Sequence, residues 1–282
     1  MSTLWINGWP AWFRSRPGGP AQTLPLSASG KGIAALVALC LTLAALGCDG
    51  QAKHSGASKS AESSGPGGRY QIDLFRAEPR EGTAIVILVD TSGSMAQSVK
   101  DRDGKMRPKY QIASDALRHI IQHTADWKQG HPKANLQTAI YNFSSSVWEA
   151  LPMGEFDQGK AQAALARIPK PNSGTAIGTA LEAAFKALYR SGCTRKFILC
   201  ITDGENTAGP PPDWIARHLH ARTRGEVELD FVAFDTSASH FGFLKDVNGS
   251  VVEAADGAQL QTQLVELYEK RILVEAMPAE KE

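Results

Sequence analysis

Three short segments hold the residues whose types and spacing could do chemistry. Asp90-Thr91-Ser92-Gly93-Ser94 puts one carboxylate and two alternate hydroxyls on a single turn. Ser173-Gly174-Thr175 adds a hydroxyl, and Thr202-Asp203-Gly204 adds a second carboxylate. Donors of this kind are all oxygen and mostly uncharged, which suits a hard cation, Mg²⁺ above all. Gly93 lets the first turn bend sharply. The plainer use of the same residues is structural, with Asp90 capping a helix and Ser92 and Ser94 satisfying a turn.

Catalysis at such a site needs a base or nucleophile beside the ion. Glu205 is the nearest candidate on the same loop, although a carboxylate there reads first as a solvated charge. Asp90 could mimic a phosphate-accepting aspartate, but that chemistry wants a second Asp where Ser92 stands. No HExxH or GxxxxGK[ST] pattern and no nucleophilic triad order occurs. Asp101-Arg102-Asp103-Gly104 has part of a calcium loop but lacks its terminal Glu, and reads as a solvated loop. His119 and His123 are four apart on one helix face with no third ligand, so packing or surface roles fit them better. Cys193 and Cys200 are too far apart along an extended chain to pair, and Cys200 reads as a core thiol.

The elements that must carry these residues alternate. Ala84–Val89 and Lys196–Thr202 are continuous apolar runs of the kind that form strands buried on both faces. Pro108–Trp127 has helical spacing, with Ile112, Ala116, Ile120 and Ile121 on one face. Asn135–Phe143 and Val147–Leu151 read as a hairpin. Asp157–Ile168, Thr175–Tyr189 and Asp213–Arg224 read as helices, and Glu226–Phe234 as a strand. A short helix at His240–Val247, an edge strand at Ser250–Glu253 and a closing helix at Gly257–Leu273 complete the chain. Repeated strand–helix units give an α/β fold: a doubly wound, mostly parallel sheet with one antiparallel edge strand and helices on both faces. Asp90 and Asp203 then fall at the carboxyl ends of buried strands, where open α/β sheets hold ligands.

The ordered triple DTSGSM, SGT and TDG resembles the metal-ion-dependent adhesion site of von Willebrand factor A domains, and the resemblance covers residues 70–275. It implies that Asp90, Ser92, Ser94, Thr175 and Asp203 are the five metal-site residues. The hydroxyls would bind the ion directly and the carboxylates directly or through water. The ion it implies is Mg²⁺, with Mn²⁺ or Ca²⁺ as substitutes. It further implies adhesion, with an Asp or Glu of a protein partner completing the ion's shell and no bond cleaved, so the chain is not expected to be an enzyme. Two other readings stay open: an assembly factor working beside an AAA+ ATPase, and a metal-dependent hydrolase.

Charge and composition concern where this body works. The 282 residues hold 30 Lys and Arg against 29 Asp and Glu, which excludes a strongly basic nucleic-acid binder. Residues 1–47 contain Arg14, Arg16 and Lys31 but no acid, and the remainder carries 27 basic against 29 acidic residues, a net −2. Lys31 precedes the apolar run Gly32–Leu46, too short for a stable span and right for an export signal. Ala45-Leu46-Gly47-Cys48 resembles a bacterial lipobox, with Ala45 where that family usually has Leu. This implies removal of 1–47, lipid on Cys48 and a place on the cell membrane facing the periplasm or exterior. Cleavage by an ordinary signal peptidase is the alternative. Residues 48–69 are rich in Ser, Gly and Ala and read as a flexible tether, and 276–282 read as a tail.

Overall fold

The computed structural model describes residues 72–277. The expected signal, Cys48, the tether and most of the tail lie outside the described residues. In chain order the elements are β1 (Arg80–Asp90), β2 (Ser98–Lys100), β3 (Met106–Pro108), α1 (Lys109–Gly130), β4 (Leu136–Phe143), β5 (Val147–Glu155), α2 (Gln158–Leu165), α3 (Ile177–Ser191), β6 (Cys193–Thr202), α4 (Pro212–Thr223), β7 (Val227–Phe234), β8 (Ser250–Ala254) and α5 (Gly257–Leu267).

The apolar run of β1 is buried from Thr83 to Asp90 because β1 lies inside the sheet, parallel to β4 on one side and to β6 on the other. Beyond β6, β7 and β8 continue the parallel pairing. Beyond β4, β5 turns back antiparallel, so the strand order is β5-β4-β1-β6-β7-β8. The expected mostly parallel sheet with one antiparallel edge strand is therefore what forms. Successive side chains of a strand point to opposite faces. Val86 and Leu88 pack with Leu181, Phe185 and Leu188 of α3 and with Ile215 and Leu219 of α4. Ile85, Ile87 and Val89 pack with Ile112, Leu117 and Ile120 of α1 and with Leu260 and Leu264 of α5. Each such burial is worth ~1.5–3 kcal/mol before the cost of ordering.

Local departures from the expected elements have local causes. α3 starts at Ile177 rather than Thr175, because the Thr175 N–H is given to Thr207 Oγ1 at 2.8 Å and the Ala176 N–H to Ser144 O at 2.7 Å. The Asp101–Gly104 stretch is the turn of the β2–β3 hairpin, which the sequence did not announce. Asp101 is nearly buried there instead of solvated, and its Oδ1 accepts the N–H groups of Asp103 at 2.9 Å and Lys105 at 2.8 Å. The closing helix is interrupted: α5 ends at Leu267 and a wider π turn runs from Tyr268 to Leu273. Tyr268, Ile272 and Leu273 are all buried in that turn, and Arg271 pairs with Asp230 and Glu228 of β7. No helix among the described residues is long and apolar enough to cross a membrane.

Candidate metal centre

β1 and β6 run parallel in register, with Val89 opposite Ile201, so Asp90 and Thr202 end side by side at the carboxyl edge of the sheet. The Asp90 side chain is fully buried. Its Oδ2 accepts from Thr202 Oγ1 at 2.6 Å and its Oδ1 from the Ser92 N–H at 2.7 Å. The chain then turns through a 3₁₀ segment, Gly93–Ala96, that carries Ser94. Ser92 Oγ lies 3.1 Å from Ser94 Oγ, and Ser94 Oγ donates to Asp203 Oδ1 at 2.7 Å. A Cβ built on Gly204 would sit 3.9 Å from Ser94 Oγ and 4.0 Å from Thr175 Oγ1, so both hydroxyls border the space over that glycine. All five residues expected from the sequence are thereby brought together.

The loops that carry them are tied to one another. The Gly93 N–H donates to Ser173 O at 3.0 Å, and a Cβ at Gly93 would lie 3.4 Å from that oxygen. That is ordinary contact distance and the backbone there is not left-handed, so neither crowding nor φ demands a glycine at this position. The Gly174 N–H donates to Ser145 Oγ at 2.9 Å. Ser173 takes φ 61°, a conformation uncommon outside glycine and asparagine, and is held there by its neighbours.

Burial pushes the Asp90 carboxyl up to about 6; the hydrogen bonds from Thr202 and Ser92 pull it down, and the Asp203 charge adds to the rise. Sequence reasoning missed Lys109, the first residue of α1. Its ammonium stands 2.7 Å from Asp203 Oδ2 and 3.1 Å from Asp235 Oδ2, with side-chain exposures of 3% for Lys109 and 0% for Asp203. One signal was available: a lysine at a helix N-terminus opposes the helix dipole, which points to an anion supplied from elsewhere.

Residues 85–205 match the family model of the von Willebrand factor type A domain. Among solved structures, the conserved hypothetical protein BatB of Bacteroides thetaiotaomicron is 18% identical with a TM-score of 0.52, the match covering 67% of this chain and 98% of that one. A von Willebrand factor type A protein of Catenulispora acidiphila is 20% identical with a TM-score of 0.53, over 66% of this chain and 42% of that one. Proximal thread matrix protein 1 from the mussel byssus, in a structure described as having a zinc-occupied metal-ion-dependent adhesion site, is 21% identical with a TM-score of 0.51. That match covers 66% of this chain and 47% of that one. At these identities the likeness is one of fold. No curated protein matches the chain in sequence.

The donor set fits a hard cation: two carboxylates and three hydroxyls gather at one edge of the sheet, and burial holds the Asp90 carboxyl above its ordinary titration range. The other residues singled out from sequence do not join it. Glu205 is 67% exposed on its side chain and meets His240 Nε2 at 3.3 Å. His119 and His123 pack ring to ring at 5.3 Å, and His123 Nδ1 contacts Glu269 at 2.8 Å. Cys193 and Cys200 are both free and buried.

Proposed function

We propose that this domain is an adhesion module that binds a protein partner through a Mg²⁺-type cation held by Asp90, Ser92, Ser94, Thr175 and Asp203. Bound there, the ion would supply a Lewis-acidic position for a carboxylate. The chain's own residues do the rest. Ser92, Ser94 and Thr175 offer neutral oxygens, so the ion is not fully neutralised by the protein. Asp90, fixed by Thr202 and Ser92, supplies charge from below. Asp203 is tied up by Ser94 and Lys109 and lies to one side. An Asp or Glu of the partner then finds the remaining positive charge. The observation that carries this reading is the unbroken contact chain Asp90–Ser92–Ser94–Asp203, with Thr175 across the same space.

The proposal extends to location. Residues 1–47 act as an export signal, and acyl chains on Cys48 hold the domain at the cell membrane, facing the periplasm or exterior. Residues 72–79 support a favourable orientation. Ala77 donates to Tyr189 O at 3.1 Å and Arg76 pairs with Glu226 at 2.8 Å, both near the amino ends of the strands. The first described residues thus lie at the edge opposite the candidate site, an arrangement compatible with a partner approaching that site.

Chemical crosslinking on intact cells tests the interaction. A partner should be captured in Mg²⁺, lost in EDTA and lost with Asp203→Ala. Capture that is indifferent to EDTA would overturn the metal-bridged reading. A protein found in the cytosol beside an ATPase would favour the assembly-factor alternative.

A further inference from the structure

Lys109 stands out among the buried groups because it carries a full positive charge beside a site proposed to hold a cation. Burying an ammonium is costly, and it is tolerated where anions compensate. Here the anions are Asp203 and Asp235, at 2.7 and 3.1 Å, with Gln97 Oε1 a further 3.5 Å contact. Asp203 reaches the cluster from the end of β6 and Asp235 from the end of β7, so the ammonium joins two neighbouring strand ends to the start of α1. The Lys109 N–H donates to Gln97 O at 2.8 Å, which fixes the backbone behind the side chain. Asp203 Oδ1 accepts from Ser94, whereas its buried Oδ2 receives no hydrogen bond among the described residues and meets the Lys109 ammonium as an ion pair.

We propose that Lys109 is a built-in counter-cation of the metal site, which holds back the Asp203 charge so that a bound divalent ion stays electron-poor and selects for a partner carboxylate. The inference rests on the metal reading above. Two carboxylates and two net positive charges on an ion would cancel, and such an ion would have little pull on a third carboxylate. The ammonium restores one positive charge to the group. It does so permanently and without occupying the space the hydroxyls border. Asp235 modulates the effect: its side chain is 41% exposed and it shares the ammonium, drawing part of that charge away from Asp203. Lys109 is therefore a positioning and charge-setting residue, one step removed from the ion.

The charge logic fixes a sign that a purely structural lysine would not give. Lys109→Met removes the charge at nearly constant shape. Calorimetric titration of the full chain with Mn²⁺ or Mg²⁺ alone should then show binding tighter by roughly tenfold, the scale expected for a lost unit charge a few ångströms away. In EDTA the same variant should melt lower than wild type, and saturating Mn²⁺ should close that gap. Lys109→Arg, which keeps the charge, should bind metal nearly as wild type does. Asp235→Asn leaves the ammonium wholly to Asp203 and should bind metal more weakly; its exposed position makes it tolerable if Lys109→Met fails to fold. Unchanged or weaker binding by Lys109→Met, or stronger binding by Asp235→Asn, overturns the role of Lys109 and leaves the metal site standing. Absence of any metal binding by wild type overturns both.

Discussion

At the scale of single residues, Asp90 has the sharpest consequence. Its carboxyl is pushed up to about 6 by burial, whereas in an unfolded chain it titrates near 3.9. Between about pH 4 and 6 the metal-free folded domain holds a proton that the unfolded chain has already released. Its stability through this group therefore falls as pH rises across that window, by ~2–3 kcal/mol at the upper end. Urea unfolding in EDTA at pH 4.5 and pH 7 should show wild type losing ground against Asp90→Asn, which has no such proton. A constant difference between the two proteins would contradict this. Residue types explain why the site was legible in the sequence. Asp, Ser and Thr at fixed offsets on turns are visible without knowing the fold. Lys109 and Asp235 were not, because their pairing spans 126 positions and exists only once β7 lies beside β6.

At the scale of elements, the site is as good as the strand ends and helix starts that hold it. The run Ala84–Val89 and the run Lys196–Thr202 were readable as buried strands because both faces of β1 and β6 are covered. The β2–β3 hairpin was not, since three-residue strands leave no periodicity to read, and neither was the π turn at Tyr268–Leu273, which depends on what packs beneath it. The start of α3 shows how tightly one element governs the site. A Cβ at Gly178 would lie 2.1 Å from Pro210 O, in the loop whose Thr207 accepts the Thr175 N–H. Gly178→Ala should therefore destabilise the domain by ~1–3 kcal/mol in urea unfolding and weaken metal binding as that loop shifts. Gly130→Ala, at the end of α1 with open space around it, should leave metal binding unchanged and raise stability by ~0.5–1 kcal/mol. Equal behaviour of the two variants would refute the link between helix packing and the site.

At the scale of the whole molecule, the chain is nearly neutral, and residues 48–282 taken alone carry a net −2. That charge is compatible with the proposed metal bridge, and it lacks the basic excess on which nucleic-acid binding draws. Lipid on Cys48 predicts incorporation of labelled palmitate that Cys48→Ser abolishes, with the variant released from the membrane fraction; labelling that persists in the variant would refute that attachment. Calorimetric titration of the chain with Mg²⁺ and Mn²⁺, wild type against Asp90→Ala, decides whether the proposed metal site exists. Wild type should show one saturable site per chain, and Asp90→Ala should lose it. Equal metal affinity in the two proteins would contradict the proposed site.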